Sequence, residues 1–194
     1  MIADILARHD FRAHPGASAG AIAAAAAALG RVLPSTYVAV LREVDGGEGF
    51  VGDAYLRLWR AAELVPLNAA YAVEEFAPGL LLIGTTGGGD SYALDLPTGI
   101  AAVYSVPLIP LRRERAERVA DDVGDLLRRL AATGAADAPP AINPATFGYE
   151  VHEVHPVAFG GDPSAMDNKA FVTPAQHAEL AAWWNRKYRE VVGM

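Results

Sequence analysis

The segment between residues 80 and 108, LLLIGTTGGGDSYALDLPTGIAAVYSVPL, limits the fold more than any other part of the chain. Its three short apolar runs are separated by GGGD at 87–90 and by LPTG at 96–99, and both sequences favour tight turns. Turns of this length join antiparallel neighbours. The segment therefore predicts an antiparallel meander with strands near 80–86, 91–96 and 101–106.

Helical patterns surround this meander, and the run AYLRLW adds an expected strand at 54–59. The expected helices cover 2–9, 19–30 with Ser18 as N-terminal cap, about 34–45 with Gly46 and Gly47 as the stop, 61–76 with an interruption at Pro66, and 115–131. Helices followed by a meander and a closing helix predict the α+β class, an antiparallel sheet flanked by helices. Tyr37 and Trp59 are expected in its core.

Proline and alanine without periodicity mark a linker at 133–145, in TGAADAPPAINPA. The chain is therefore divided into a first domain at 1–132 and a small C-terminal ββα module at 146–194. We expect the first domain to remain folded when the chain is cut near residue 138, because the linker carries few residues that could pack.

Composition and charge exclude several classes of function. The 194 residues carry a formal net charge of −7, which argues against nucleic acid as a partner and permits a basic protein partner. The chain has no cysteine, which excludes disulfides and thiolate metal sites and fits a reducing cytoplasm. The first residues lack the apolar region of a signal peptide, and the run at 21–30 is too short to span a bilayer. We expect a cytoplasmic protein without membrane contact.

A set of motifs in this order resembles the SUKH superfamily, the fold shared by Syd, herpesviral US-type and Knr-type proteins. The motifs are the Leu-Pro-x-x-Tyr helix, the Gly-Gly after it, Leu-x-Leu-Trp, the Ile-Gly-x-x-Gly-Gly-Gly-Asp turn and Ala-Leu-Asp, and the resemblance covers about residues 15–130. It implies a bacterial immunity protein that binds a toxin and holds it inactive. Some relatives are regulatory scaffolds instead, and the family offers no catalytic residues.

Several residues of these motifs have a structural interpretation that we prefer to a functional one. Gly46, Gly47 and the glycines at 87–89 are expected to supply positive φ in turns. The run GTTGGGDS lacks a lysine and a following helix, so a phosphate cradle is disfavoured. Asp90 and Asp95 could pair as metal ligands or acids, but capping of the turn and of the strand end is the favoured role.

The tail from 149 to 177 is similar to the ββα-metal (HNH) nuclease motif in its colicin-type form. That resemblance implies His152 and His177 as ligands of a divalent metal such as zinc or magnesium, Glu153 as general base and Asn168 as the loop asparagine. It also implies a hairpin from 149–154 and 170–173, followed by a helix from about Pro174. Glu153 and both histidines are then expected to share one cleft.

Two departures from the motif argue against cleavage. Glutamate is a weaker base than imidazole at neutral pH, and Ala181 stands where the colicin type has its second helix histidine. His155 lies three residues after His152 and is expected on the opposite face of the strand. Residues 141–194 also contain six acids and four bases, the wrong balance for binding phosphate. We therefore expect a degenerate module with no catalytic residues and no bound metal.

Three classes of function follow. The first is a non-catalytic immunity protein that neutralises a bacterial toxin by direct binding. The second is a metal-dependent HNH-type nuclease with a SUKH regulatory domain, and the third is a regulatory interaction scaffold. The sequence favours the first, but it identifies neither the toxin, nor the partner-binding residues, nor the oligomeric state.

Overall fold

A computed structural model describes residues 1–133 and 147–193 of the chain. Apart from Thr133, the linker expected at 133–145 lies outside the described residues. Within the described ranges, no helix is both long enough and apolar enough to cross a membrane.

Seven strands form one antiparallel sheet, in which the spatial order follows the order in the chain. They are β1 (Phe11–Pro15), β2 (Val44–Val51), β3 (Ala54–Leu58), β4 (Leu80–Thr85), β5 (Asp90–Asp95), β6 (Val103–Pro107) and β7 (Glu117–Ala120). The flanking helices are α1 (Ile2–Leu6), α2 (Ala19–Leu29), α3 (Ser35–Glu43), α4 (Ala61–Ala70), α5 (Val73–Phe76) and α6 (Val123–Ala131). The α+β class and the antiparallel meander are confirmed.

Strand β1 and the full length of β2 were not expected, and the stop predicted at Gly46 and Gly47 is wrong. Both glycines lie inside β2, which pairs with β1 on one side and β3 on the other. A Cβ on Gly47 would lie 2.4 Å from the carbonyl oxygen of Arg12, so the glycine permits β1 to approach closely. Positive φ is found at Gly46, Gly47 and Gly87, while Gly88 and Gly89 do not adopt it.

The helix expected at 115–131 begins later than predicted. Residues 117–120 form the edge strand β7, in which Arg118 pairs with Tyr104 of β6. Helix α6 starts at Val123, where the Asp122 carboxylate accepts a hydrogen bond from the N–H of Asp125 at 2.7 Å. The interruption expected at Pro66 is also misplaced, because α4 runs through Pro66 and ends at Ala70.

The core lies between the sheet and the helices, and it contains both aromatic residues that the sequence places there. Trp59 and Tyr37 are 1% and 2% exposed, which confirms their burial. The Trp59 ring stacks on Tyr71 with the ring centroids 5.8 Å apart. Tyr71 is the C-terminal cap of α4, so this stack fixes the end of that helix against the sheet.

The C-terminal segment forms the expected ββα arrangement. Strands β8 (Glu150–Glu153) and β9 (Lys169–Val172) pair as an antiparallel hairpin, and α7 (Pro174–Val192) follows. Thr173 and Gln176 form a capping box at the start of α7.

This segment shares the core of the first domain. Ala178, Ala181 and Ala182 of α7 are buried in the same apolar cluster as the sheet, and the N–H of Val151 donates to the carbonyl of Gly87. The boundaries at 1–132 and 146–194 remain a prediction. The shared core argues against independent folding of the first domain.

Candidate functional site

The two histidines that the nuclease motif points to, His152 of β8 and His177 of α7, lie next to each other between the hairpin and the helix. Side chains alternate along β8, so Glu150 and His152 lie on its buried face while Val151 and Glu153 are less enclosed. The capped first turn of α7 places His177 above that face. The rings of His152 and His177 have centroids 5.3 Å apart at an interplanar angle of 77°. The expected approach of these two residues is present.

His177 belongs to a closed network of four buried polar side chains. Its Nδ1 atom lies 2.6 Å from Oε2 of Glu150 and 2.8 Å from the hydroxyl oxygen of Tyr71. The Thr85 hydroxyl donates to Oε1 of Glu150 at 2.8 Å, and the Tyr71 hydroxyl donates to Oε2 at 3.3 Å. The network therefore connects α7 and β8 of the tail to α4 and β4 of the sheet domain.

Electrostatics favour an ionised Glu150 in this network. Burial alone would raise the pKa of its carboxyl, but hydrogen bonding and charge from His177, with help from Thr85 and Arg57, outweigh burial and lower it. Burial and the neighbouring Glu150 raise the pKa of Tyr71 well above its ordinary value, which keeps its hydroxyl protonated as a donor. The Glu150 carboxylate thus accepts hydrogen bonds from His177, Tyr71 and Thr85.

His152 is buried, and one of its ring nitrogens has no hydrogen-bond partner among the described residues. Its side chain is 3% exposed, and that nitrogen is Nε2. Burial, followed by the charge of His177, lowers its pKa to about 4, against an opposing effect of Glu153. His152 is therefore a neutral ring at neutral pH.

Glu153 does not enter the cleft that the sequence predicts for it. Its carboxylate forms an ion pair with the cross-strand neighbour Lys169 at 2.8 Å and accepts a hydrogen bond from the N–H of Val157 at 3.1 Å. Because neighbouring side chains of a strand point to opposite faces, Glu153 lies on the face of β8 away from His152. This expectation is wrong, and a base at this position would face away from the histidines.

Asn168 holds the loop between β8 and β9. Its amide oxygen accepts from the N–H of His155 at 2.7 Å, and its amide nitrogen donates to the carbonyls of His155 and Asp162. His155 itself lies beyond the end of β8 and stacks on Trp184 with ring centroids 6.0 Å apart. Loop geometry is thus the observed role of Asn168.

The residues present do not fit a catalytic zinc site. Two imidazoles supply fewer protein ligands than the three that such a site usually has. Ala181, one helical turn after His177, is fully buried in the main core and supplies no ligand. Within residues 1–133 and 147–193, no three His, Cys, Asp or Glu side chains are arranged to hold a metal ion.

The two aspartates of β5 do not form a site together. Asp90 and Asp95 lie at opposite ends of the strand. Asp95 forms an ion pair with Arg113, which anchors the turn after β5. Burial and the neighbouring Glu117 raise the pKa of Asp90.

The sequence analysis did not predict the buried polar roles of Glu150 and Asn185, although the spacing of each residue from a histidine indicates such a role. Glu150 stands two residues before His152, the spacing that places both on one face of a strand. Asn185 lies eight residues after His177 on the same helical stripe, where a buried amide requires partners. It accepts from the N–H of Leu111 at 2.7 Å and donates to the carbonyls of Leu108 and Ala181.

Comparison with known proteins covers the sheet domain. A family model described as SMI1 / KNR4 family (SUKH-1) matches residues 16–129, while the ββα tail lies outside this match. No curated protein matches the chain. With more than half of its residues matched, and with the antiparallel sheet that the resemblance implies, the chain belongs to the SMI1 / KNR4 family (SUKH-1).

Proposed function

We propose that the protein is a non-catalytic immunity protein that neutralises a bacterial toxin by direct binding. Membership in the SUKH-1 family, whose members are often immunity proteins, supports this function. The net charge of −7 supports a basic partner surface, such as the active site of a toxin that acts on nucleic acid.

The observation that carries the non-catalytic part of the proposal is the environment of His177. Its ring is 2% exposed, and its Nδ1 is engaged by Glu150 and Tyr71. A side chain held in this way joins the tail to the sheet domain. The network supports a structural role for the residues that the nuclease motif would use.

Titration calorimetry and stopped-flow mixing with the protein encoded by the adjacent gene test the proposal. We expect a complex of defined stoichiometry, and we expect its association rate to fall steeply with added salt, since charge steering acts mainly on association. Binding that ignores ionic strength would remove the electrostatic part. Absence of binding would favour a regulatory scaffold that has no toxin partner.

One observation favours a second candidate, a metal-dependent nuclease. Histidines that bind metals commonly donate their other ring nitrogen to a carboxylate, and Glu150 holds His177 in that manner. Plasmid and RNA cleavage assays with magnesium, nickel and zinc test this function. We expect no cleavage, whereas cleavage that disappears in both His152→Ala and His177→Ala would establish the nuclease.

A further inference from the structure

An open groove runs between the C-terminal hairpin and helix α7. Its volume is about 710 Å³, within the range of cavities that bind ligands. The lining side chains come from both walls of the groove: His152, Val154, Ala170, Val172, Gln176, Glu179, Leu180, Trp183 and Trp184. It lies outside the residues that the family match covers.

The groove is apolar and open to solvent. Val154, Leu180 and Trp183 are 55%, 37% and 48% exposed. Grouped exposed apolar side chains with polar residues at their edge mark surfaces where a soluble protein binds another molecule. Tryptophan in particular is enriched among the residues that dominate binding energy at protein interfaces.

The base of the groove suits an apolar side chain. Ala170 and Val172 of β9 line it beside the ring of His152, which is 3% exposed. Little charge has to be desolvated when the groove is filled.

Charge of both signs lies beside the groove, but the lysine there is already paired: Lys187, whose Nζ lies 5.7 Å from the centroid of the Trp183 ring, forms an ion pair with Glu190 at 2.7 Å. Glu179 lines the groove, is exposed, and forms no ion pair within the described part of the chain. No lysine or arginine is among the residues that line the groove. The complement of this surface is a segment that carries large apolar side chains next to a basic one.

We propose that this groove binds a protein segment in which large apolar side chains are flanked by lysine or arginine. The inference deepens the proposed function, on which it rests, by naming the surface that contacts the toxin. A second copy of this chain that bound symmetrically, groove to groove, would bring a second Glu179 toward the first.

Peptides of opposite charge test the groove without any toxin. Acetyl-Lys-Leu-Leu-Lys-amide and acetyl-Glu-Leu-Leu-Glu-amide are titrated separately into the ¹⁵N-labelled full chain, and the three tryptophan indole signals are followed by NMR. We expect the basic peptide to shift the Trp183 signal at least several-fold more than the acidic peptide does. The buried Trp59 signal should remain still. Absence of a Trp183 shift, or equal shifts with both peptides, would overturn the proposal.

Variants locate the effect and test its charge dependence. Glu179→Lys should reverse the preference between the two peptides, and an unchanged preference would contradict the charge argument. Leu180→Glu should abolish binding of the basic peptide. Phe171→Ala is the matched control, because Phe171 is 65% exposed but pairs with Val151 on the other face of the hairpin. A loss of binding in this control equal to that in Leu180→Glu would place the site elsewhere.

The toxin experiment separates this inference from the proposed function. If the toxin binds the native chain and Leu180→Glu equally well, the groove is not the toxin surface although the immunity function stands. If the basic peptide binds at the groove and the toxin does not bind, the groove is a protein-binding site of another kind and the immunity function fails. Concentration-dependent shifts of Trp183 without peptide would indicate a second copy in the groove.

Discussion

His177 Nδ1 lies 2.6 Å from Oε2 of Glu150, and neither residue is more than 2% exposed. This contact joins the first turn of α7 to the start of β8, and Tyr71 and Thr85 extend it into the sheet domain. The residues that resemble a nuclease motif therefore hold the tail in place. That structural role gives the following predictions.

Replacement of Glu150 should strongly destabilise the chain. Glu150→Ala removes the acceptor shared by His177, Tyr71 and Thr85, and loss of one partner from a buried ion pair costs about 3 kcal/mol. Urea denaturation measures the free energy of unfolding. Glu190→Ala is the control, because its ion pair with Lys187 is exposed and should contribute less than about 1 kcal/mol. Equal effects of the two substitutions would contradict a structural network.

Stability should fall on acidification because of His152. Its pKa is about 4 in the folded chain, against 6.5 for an unperturbed histidine, so the unfolded chain binds more protons between these values. The stabilisation is complete above about pH 6.5 and is lost as the pH falls toward 4, by at most about 3 kcal/mol.

His152→Leu isolates this effect. The substitution removes the titrating ring and leaves no buried polar atom unsatisfied, so the difference in unfolding free energy between the variant and the native chain should change across this pH range. His14→Gln, at an exposed position, serves as the control. A difference that stays constant from pH 7 to pH 4 would show that His152 titrates alike in both states.

Asn185→Ala should cost about 2 kcal/mol, because it leaves the buried N–H of Leu111 and carbonyl of Leu108 without partners. Asn168→Ala is a matched control in the exposed loop, where water can replace the lost hydrogen bonds. Thermal unfolding followed by circular dichroism compares the two. A larger loss at Asn168 than at Asn185 would contradict the assignment of Asn185 as the anchor.

The elements predicted correctly are those whose signals are local. Turn residues mark the ends of β4, β5 and β6, and the Thr173 and Gln176 capping box marks the start of α7. The errors arise where contacts between distant residues decide. Gly46 and Gly47 are typical of a helix end, but they lie in β2, where Gly47 pairs with Ala13 of β1. Val119 fits a helical stripe, but its segment is β7, which pairs with β6.

In the candidate site, too, local patterns were predictable and contacts between distant residues were not. The resemblance to the HNH motif implied that His152 and His177 approach each other, and their ring centroids lie 5.3 Å apart. Strand alternation turns Glu153 away from His152, whereas the motif resemblance placed both residues in one cleft. Tyr71 and Thr85 lie 106 and 65 residues from their partners in the network, and no local pattern reveals them.

A chain that ends at residue 133 should be less stable than the full chain. It lacks the buried alanines of α7 and leaves Tyr71 and Thr85 without their partners from the tail. Urea denaturation measures the loss, and the indole NMR signal of Trp59 reports on packing against Tyr71. An unchanged unfolding midpoint and an unchanged Trp59 signal would show that the first domain folds independently.

Titration of toxin activity tests the central claim, that the protein acts by binding and not by catalysis. A fixed concentration of the toxin that the chain binds is mixed with increasing amounts of the full chain, and residual toxin activity is measured. We predict a linear loss that ends at a fixed molar ratio, unchanged by longer incubation and unchanged in Glu153→Gln. Complete inactivation by about one-tenth of that amount, increasing with time, would show turnover and contradict the account.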